Sequence, residues 1–209
     1  MNVITSLKWR YATKKFDAMR IVSDAKIDIL TEAFNLTATS YGLQPLKLVV
    51  ISDKKLQEQL LAASMNQRQV ADASHLLIIC IENTVKAPYV TEYFERVKEL
   101  RNTPDLILKP FREMLENKFD KQPETETRAW AIKQAYLALG NLLTVCAIEQ
   151  IDCCPMEGFE PQKYDELLKL KEYNLSSVLV MPVGYRAEDD MFADFKKVRR
   201  PQEETIIKL

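Results

Sequence analysis

The twenty residues from Ala129 to Ile148 restrict the possible folds of this chain more than any other segment. A lysine, a glutamine, a glycine, an asparagine and a threonine are the only interruptions of an otherwise apolar run. A helix that is apolar on nearly all sides must be surrounded by protein or by lipid. Its length would suit a bilayer, but Lys133, Gln134 and Asn141 would be costly there, and no second such segment exists. We therefore expect a helix in a protein core or subunit interface, and no membrane association.

The charge balance and the cysteines exclude several classes of protein. The 29 lysines and arginines nearly balance 30 aspartates and glutamates, so no strong positive field attracts nucleic acid. The four cysteines form no C-x-x-C pair, and the single histidine, His75, excludes a histidine-rich metal site. The first residues lack the cationic and apolar regions of a signal peptide. These features predict a cytoplasmic protein with reduced thiols and no metal.

Helical and strand patterns alternate along the chain, with no repeat and no Pro/Gly-rich linker between them. Apolar spacing predicts helices over residues 4–11, after the candidate N-cap Ser23, and from Asp53 to about Ala63. Apolar runs predict strands at Leu46–Ile51, Leu76–Ile81 and Ser176–Gly184. We therefore expect residues 1–209 to form a single domain.

Two further segments stand out by their composition. Residues 83–128 are densely charged, and four prolines are expected to break them into the short helices of a mobile lid or insertion. The last residues, Thr205–Leu209, favour a β-strand but have no local hairpin partner. That end could add to the edge of a sheet, including the sheet of another subunit.

Small basic clusters lie near both ends of this near-neutral chain, in Arg10–Phe16 and in Lys197–Pro201. Together they could close around one anion. The chain has four glycines in total and neither a G-x-G-x-x-G motif nor a P-loop. A bound phosphate would therefore have to be held by side chains, for which arginine forks and lysine charges are suited.

Three loops between these clusters are candidates for ligand contacts, and each also has a simpler interpretation. Thr37–Pro45 is a polar loop that contains Gly42 and could be an ordinary connection. Asn66–His75 leads into a buried strand; Asn66 could pair with a heterocycle, whereas His75 suits a structural hydrogen bond better than catalysis. Pro155–Phe159 contains Gly158, which permits close approach to a flat ligand but also suits a simple turn.

Taken in order, five motifs resemble the FMN-dependent nitroreductase family. They are R-[YHR]-[AS]-x-[KR]-x-[FY], S-x-x-x-Q-P, N-x-R-x-x-x-D-A-S-H, P-x-E-G-F and K-x-R-x-P. The resemblance is to the oxygen-insensitive NAD(P)H-dependent branch, which includes flavin reductases and dihydropteridine-reductase-like enzymes, and it is weakest over residues 83–128. It implies an α+β fold with a central mixed sheet flanked by helices. It also implies an intertwined homodimer whose C-terminal strands are exchanged and whose interface clefts hold two FMN molecules.

The resemblance implies a set of cofactor-binding residues from both subunits. Arg10, Lys197 and Arg199 match the residues that hold the phosphate and ribityl end of FMN. Lys14 and Asn66 match residues at the pyrimidine edge of the flavin, Tyr11 and Ala12 line the ring with their backbone, and Glu157 and Gly158 lie beside flavin N5. Thr39 and Ser40 match a loop contributed by the other subunit, and Gln44 follows it.

The positions implied to contact substrate depart most from the family. Tyr41 is bulkier than the threonine of some relatives, and Gln69 replaces a lysine that in some members helps to bind the nicotinamide nucleotide. Gly42 and Leu46 replace an asparagine and an aromatic residue that are common there. Phe111 is the expected aromatic residue over the flavin.

The implied activity is a ping-pong oxidoreductase reaction. NADH or NADPH would pass a hydride to flavin N5, and a nitroaromatic, quinone or free flavin would then accept it. No side-chain acid or base is expected, and Lys14 would tune the reduced flavin by its charge. Three alternatives stay open. The first is a specialised member of the same fold, such as a flavin-consuming or dehalogenating enzyme, or a reductase acting on a pteridine or enone. The others are a flavin-binding redox protein without rapid turnover and an α+β domain whose basic ends are solvated surface.

Overall fold

The computed structural model describes residues 2–209 and confirms the predicted α+β architecture. Its strands and helices are α1 (Val3–Trp9), α2 (Asp24–Asn35), β1 (Leu46–Ile51), α3 (Lys54–Leu60), α4 (Gln69–Asp72), β2 (His75–Glu82), α5 (Ala87–Arg101), α6 (Asp105–Lys121), α7 (Glu124–Ile148), β3 (Asp152–Cys153), α8 (Pro161–Leu167), β4 (Leu175–Gly184) and α9 (Gln202–Thr205). Short 3-10 turns occur at Ser40–Gly42, Ala62–Ser64, Leu170–Tyr173 and Met191–Asp194.

The strands form one sheet in the order β1-β2-β4-β3, and each neighbouring pair is antiparallel. Leu48 lies opposite Ile79, and Ile78 lies opposite Val180. The one parallel contact within residues 2–209 is an isolated bridge between Ala12 and Cys153. The mixed sheet expected from the resemblance is therefore antiparallel within one chain, and any longer parallel pairing would need a strand from a second chain.

The core lies on both faces of β2, whose side chains are buried from His75 to Ile81. Leu77, Ile79 and Ile81 face a layer that contains α2 and α7. Leu76 and Ile78 face the opposite layer, which includes α3 and α8. A strand covered on both faces needs a continuous apolar run, and for this reason the sequence pattern located β2 so well.

Helix α7 begins at Glu124, five residues before the apolar run, and buries one side against α2, α1 and the sheet. Gln134, Ala138 and Leu142 are buried, whereas Leu137 keeps 54 % of its surface exposed. It is the one helix in the described residues whose length and hydropathy would suit a membrane span. Of its most apolar 18-residue stretch, 44 % is buried inside the chain. The remaining apolar side has no cover within one chain.

Residues 83–128 form two long helices, of 15 and 17 residues, and the expected short helices are wrong. Pro88 lies in the first turn of α5, and Pro104 and Pro123 precede helices, positions where the missing N–H is not needed. Pro110 lies inside α6 and costs a hydrogen bond. The two helices offset that cost by packing Phe94, Leu115 and Phe119 into a small core of their own.

The C-terminal residues are exposed and do not form the expected strand within one chain. Thr205 ends the short helix α9, and Ile206 and Ile207 follow without a β partner among the described residues. A lone extended segment has no ladder to join. Its addition to a second subunit stays a prediction.

Candidate functional site

The two basic ends of the sequence come together in the fold. Arg10 caps the C-terminal end of α1, Arg186 follows β4, and Lys197 and Arg199 belong to the tail. The pKa of Lys197 is lowered by burial and then by the positive charges of Arg10, Arg199 and Arg186. The charges of three arginines thus act on Lys197, although the sequence positions of the four residues span nearly the whole chain.

The positive charge of this cluster is only partly neutralised within the chain. Arg186 pairs with Asp152, whose carboxylate accepts from Nε at 2.8 Å and from the Arg186 amide at 2.9 Å. Arg10 Nε, by contrast, is buried without an oxygen or nitrogen acceptor among residues 2–209, and the Arg10 side chain lies beside the Cys153 thiol, a weak acceptor. A buried guanidinium N–H without an acceptor is costly. The arrangement therefore suits an external anion with several acceptor oxygens, such as a phosphate.

Asp190 holds the N-terminal basic segment against the segment that leads to the tail. Its Oδ2 accepts hydrogen bonds from the Tyr11 hydroxyl at 2.7 Å and from the amides of Lys14 and Lys15 at 2.9 and 3.1 Å. Its Oδ1 accepts from the Phe192 amide at 3.2 Å. Burial alone would raise the pKa of Asp190, but the hydrogen bond from Tyr11 and the amide bonds outweigh it and lower that pKa.

Lys14 and the loops around Asn66 and Gly158 are connected by short contacts. Lys14 Nζ lies 4.0 Å from Cys154 Sγ, four residues before Gly158. Gln67, which follows Asn66, donates from Nε2 to the Gly158 carbonyl oxygen at 2.9 Å. A Cβ at position 158 would lie 3.0 Å from the same Nε2, so the glycine permits this close approach. Asn66 itself is exposed in a left-handed backbone conformation, with φ of 55°.

Glu157 is held at the exposed side of α7. The Tyr136 hydroxyl donates to Glu157 Oε1 at 2.5 Å, and this bond raises the pKa of Tyr136, with burial as a smaller cause. The contact ties the loop of Glu157 and Gly158 to the apolar helix. Among the predicted residues, Tyr11 and Lys14 share Asp190 as their acceptor, and the charge of Arg10 acts on Lys197. Gly158 is contacted by Gln67, the neighbour of Asn66.

The loop that contains Thr39, Ser40 and Gln44 lies elsewhere in the same chain. The Ser40 amide donates to Gln134 Oε1 at 2.8 Å, and Gln44 Nε2 donates to the Asn35 carbonyl at 2.7 Å. Within residues 2–209, no hydrogen bond or ion pair joins this loop to the basic cluster. One chain therefore supplies the two halves of the predicted site at separate places, as a site shared between subunits would require.

Two residues predicted to contact substrate touch each other beside this loop. The ring centroids of Tyr41 and Phe111 are 6.4 Å apart in an edge-to-face arrangement, and the rings remain 37 % and 44 % exposed. The third predicted residue, Gln69, is buried in α4 with 8 % exposure, because α4 packs on α3. Little of Gln69 is thus available to a nicotinamide nucleotide.

Sequence reasoning missed the residues that organise the site from behind. Asp190 stands in the acidic run Glu188–Asp190, and nothing in that run distinguishes the buried carboxylate from its exposed neighbours. Arg186 and Asp152 were missed because their pairing depends on the β3–β4 contact. All four cysteines are buried and free, and the described residues contain no metal-binding group of His, Cys, Asp or Glu side chains.

Comparison with known proteins adds an independent finding. A family model described as the nitroreductase family matches residues 7–185. Proteins of Staphylococcus haemolyticus and Staphylococcus epidermidis that carry the name of NAD(P)H nitroreductases are 34 % and 32 % identical to the chain, each over 98 % of this chain and 96 % of its own length.

Solved structures share the fold at lower sequence identity. The nitroreductase ydfN of Bacillus subtilis superimposes with a TM-score of 0.88 at 18 % identity, over 99 % of this chain and 98 % of its own. A structure from Exiguobacterium sibiricum, described as a nitroreductase in complex with FMN, gives 0.86 at 16 % identity, over 100 % and 98 % of the two chains. At these identities the likeness establishes the fold.

Proposed function

The chain belongs to the nitroreductase family, and from that premise we propose that it is an FMN-dependent oxidoreductase. It would take a hydride from NADH or NADPH and pass it to a nitroaromatic, quinone or flavin acceptor in a ping-pong reaction. The observation that carries this proposal is the cluster of Arg10, Arg186, Lys197 and Arg199, in which Arg10 Nε is buried without an oxygen or nitrogen acceptor among the described residues. The dianionic FMN phosphate supplies the charge and the acceptors that this cluster lacks.

The residues around the phosphate cluster fit the rest of the cofactor. Bound FMN supplies a flavin ring that accepts and donates a hydride at N5. Lys14, on the same segment as Arg10, would lie at the pyrimidine edge and favour the negative charge of the reduced ring. An ion pair at 4 Å is worth about 4 kcal/mol at an effective dielectric constant near 20, before the desolvation cost. Asn66 would hydrogen-bond that edge, and Gly158 would let the backbone approach the ring.

The chain supplies orientation and electrostatics rather than an acid or base. His75 is buried at the start of β2, where Ser74 Oγ lies 2.8 Å from its Nδ1, and burial lowers its pKa. Its burial and its contact with Ser74 favour a structural role over proton transfer. With one open face beside the ring, donor and acceptor would occupy the same place in turn, which is the basis of the ping-pong proposal.

A homodimer would complete the site, and two unpaired surfaces support it. The first joins α1 and α7 and exposes Val3, Ile4, Leu7 and Leu137. Exposed apolar side chains on two packed helices suit an interaction surface. With the partner's Thr39 and Ser40 brought to the basic cluster, each FMN would contact both chains.

The second surface is the open edge of β1. A groove of ≈ 820 Å³ runs beside it, lined by Val50, Leu56, Leu168, Leu170 and Tyr173 among others. Edge strands expose unpaired backbone groups that readily accept another strand. The apolar end Ile206–Leu209 of a partner chain would suit this groove. A cytoplasmic location follows the same proposal, since the four thiols are free and the reaction needs NAD(P)H.

Reconstitution with FMN tests the proposal. We expect the purified protein to turn yellow, to retain FMN through gel filtration, to lose its colour with NADH or NADPH, and to regain it when a quinone or nitroaromatic is added. A preparation that takes up no FMN would contradict the proposal. Bleaching without recovery by any acceptor would instead indicate a flavin-binding redox protein.

Charge reversal tests the phosphate site directly. The double change Arg10→Glu and Arg199→Glu should abolish retention of FMN, whereas Arg200→Glu, on the exposed neighbour, should leave it intact. Equal retention by all three proteins would mean that the basic ends are solvated surface.

A further inference from the structure

Lys118 of α6 is held against the aromatic pair Tyr41 and Phe111. Its Nζ donates to the Tyr41 hydroxyl oxygen at 2.8 Å and lies 4.8 Å from the centre of the Tyr41 ring. A lysine has three N–H donors, and this contact uses one. The other two remain available on the exposed side of the wall formed by Tyr41 and Phe111.

The charge of Lys118 is not neutralised by the surrounding acids. Elsewhere on α5 and α6, Lys98 and Lys109 lie within ion-pair distance of Glu95 and Glu113, respectively. Across residues 2–209, Lys118 has no such carboxylate. The acids nearest in sequence have their own partners: Glu116 accepts from the Thr91 hydroxyl at 2.7 Å, and Asp120 accepts from the Ala87 amide at 2.8 Å.

Tyr41 adopts an unusual conformation where it meets Lys118. Its φ of 61° lies in the left-handed region, which bulky aromatic residues rarely occupy. Such strain costs about 1–3 kcal/mol and is found most often at functional sites. Here it turns the Tyr41 ring towards α6 and brings its hydroxyl to Lys118.

We propose that Lys118 forms an anion subsite for acceptors that are aromatic and carry a carboxylate or sulfonate. The inference rests on the proposed function, in which the Tyr41 loop faces the flavin held by the partner subunit. An acceptor ring stacked on the flavin would meet the edges of Tyr41 and Phe111. A negative substituent on that ring would lie within reach of Lys118 Nζ, which is 2.8 Å from the Tyr41 hydroxyl oxygen.

The position of the cation distinguishes an acceptor substituent from the phosphates of the nicotinamide nucleotide. Lys118 Nζ lies against the Tyr41 ring, so it suits a negative group attached directly to the acceptor ring that stacks on the flavin. The phosphates of a dinucleotide are separated from the nicotinamide by a ribose. We therefore expect Lys118 to select among acceptors and to leave the choice between NADH and NADPH unchanged.

Matched acceptors provide the test. The FMN-loaded protein is assayed with 4-nitrobenzoate and with 4-nitrobenzamide, which differ in charge but little in shape, and the ratio of the two kcat/KM values is recorded. Lys118→Met should lower this ratio by roughly tenfold, as expected when a charge-assisted hydrogen bond is lost. Raising the salt concentration should shrink the wild-type ratio, because exposed charges are screened. Lys121→Met, an exposed lysine three residues later on α6, should change neither value.

The outcomes separate this inference from the proposed function. Turnover of 4-nitrobenzamide by every variant would support the function, and an unchanged ratio in Lys118→Met would then overturn the subsite alone. A change in the NADPH to NADH ratio, with the acceptor ratio constant, would also overturn it. If FMN binds without turnover, titration of the flavin absorbance with benzoate and benzamide decides the same question. Failure to bind FMN would remove both proposals.

Discussion

The Tyr11 hydroxyl donates a 2.7 Å hydrogen bond to Asp190, across 179 positions of sequence. Asp190 is 4 % exposed, and its carboxylate also accepts hydrogen bonds from the backbone amides of Lys14, Lys15 and Phe192. This carboxylate therefore fixes the backbone of the segment from which Arg10 and Lys14 project. The positions of Arg10 in the basic cluster and of Lys14, which is proposed to lie at the flavin edge, therefore both depend on Asp190.

Replacement of Asp190 by alanine should destabilise the protein and weaken FMN binding. It would leave a part-buried hydroxyl and three amides without their acceptor, and we expect a loss of about 3 kcal/mol in the free energy of unfolding. Urea denaturation and fluorescence titration with FMN measure the two effects. Asp189→Ala is the control, since that exposed carboxylate pairs with Lys15 on the surface and should contribute less than about 1 kcal/mol. Equal effects of the two substitutions would contradict the anchoring role.

The pH dependence of stability should report the same carboxylate. The folded state lowers the pKa of Asp190, so its contribution is present above the unfolded value, about 3.9, and is lost as the pH falls through the lower folded pKa. Thermal melting between pH 7 and pH 3 should therefore show a steeper acid loss in the wild type than in Asp190→Asn. Parallel profiles would show that other acids dominate.

Lys197→Met should have opposite effects on the empty and the FMN-loaded protein. Burial and the charges of Arg10, Arg199 and Arg186 lower the pKa of Lys197, so its protonated form is disfavoured in the empty cluster. This penalty is complete below the folded pKa and declines as the pH rises through it.

The Lys197 side chain is largely exposed, so solvent screening keeps this repulsion small. The substitution should therefore raise the melting temperature of the empty protein at pH 7 only slightly, and should weaken FMN binding by about tenfold. Differential scanning calorimetry and FMN titration measure these changes. Lys196→Met removes an exposed neighbouring lysine and should alter neither. A lower melting temperature of empty Lys197→Met would contradict the repulsion described for the cluster.

Gly42→Ala should destabilise the loop that carries Tyr41. Gly42 has φ of +73°, and a Cβ there would lie 2.5 Å from the Tyr93 hydroxyl oxygen. The strain and the clash together should cost about 2–3 kcal/mol. Gly140→Ala in α7 is the contrasting variant, because a Cβ there meets nothing within 4 Å in one chain and alanine favours a helix. Urea denaturation of both variants would refute the prediction if Gly42→Ala were as stable as the wild type.

The sheet and the long helix were predictable because their burial leaves a direct pattern in the sequence. The limits of β1 match the expected Leu46–Ile51, and β2 and β4 extend beyond the expected runs by one or two residues. Helices α5 and α6 were not predictable, because prolines at helix starts look like breaks until the packing of Phe94 on Leu115 and Phe119 is known.

Some residues of the candidate site were likewise predictable from the sequence, and others were not. Arg10, Lys14 and Lys197 were predicted as candidates because charged residues in ordered motifs stand out in a near-neutral chain, and their roles stay predictions. Asp190 and Arg186 were missed because their roles depend on contacts between distant segments. The burial of Gln69 in α4 could not be read from its motif position, and its contact with substrate stays a prediction.

Leu137→Asp tests whether the exposed side of α7 is a subunit interface. Leu137 is 54 % exposed in one chain, and a charge there would be harmless in a monomer but costly in an apolar interface. We expect gel filtration with light scattering to show a dimer for the wild type and a monomer for Leu137→Asp, with loss of FMN because each site would need both chains. Leu106→Asp on α6, where the native side chain is 85 % exposed, should remain dimeric and yellow. A Leu137→Asp protein that stays dimeric and retains FMN would place the interface elsewhere.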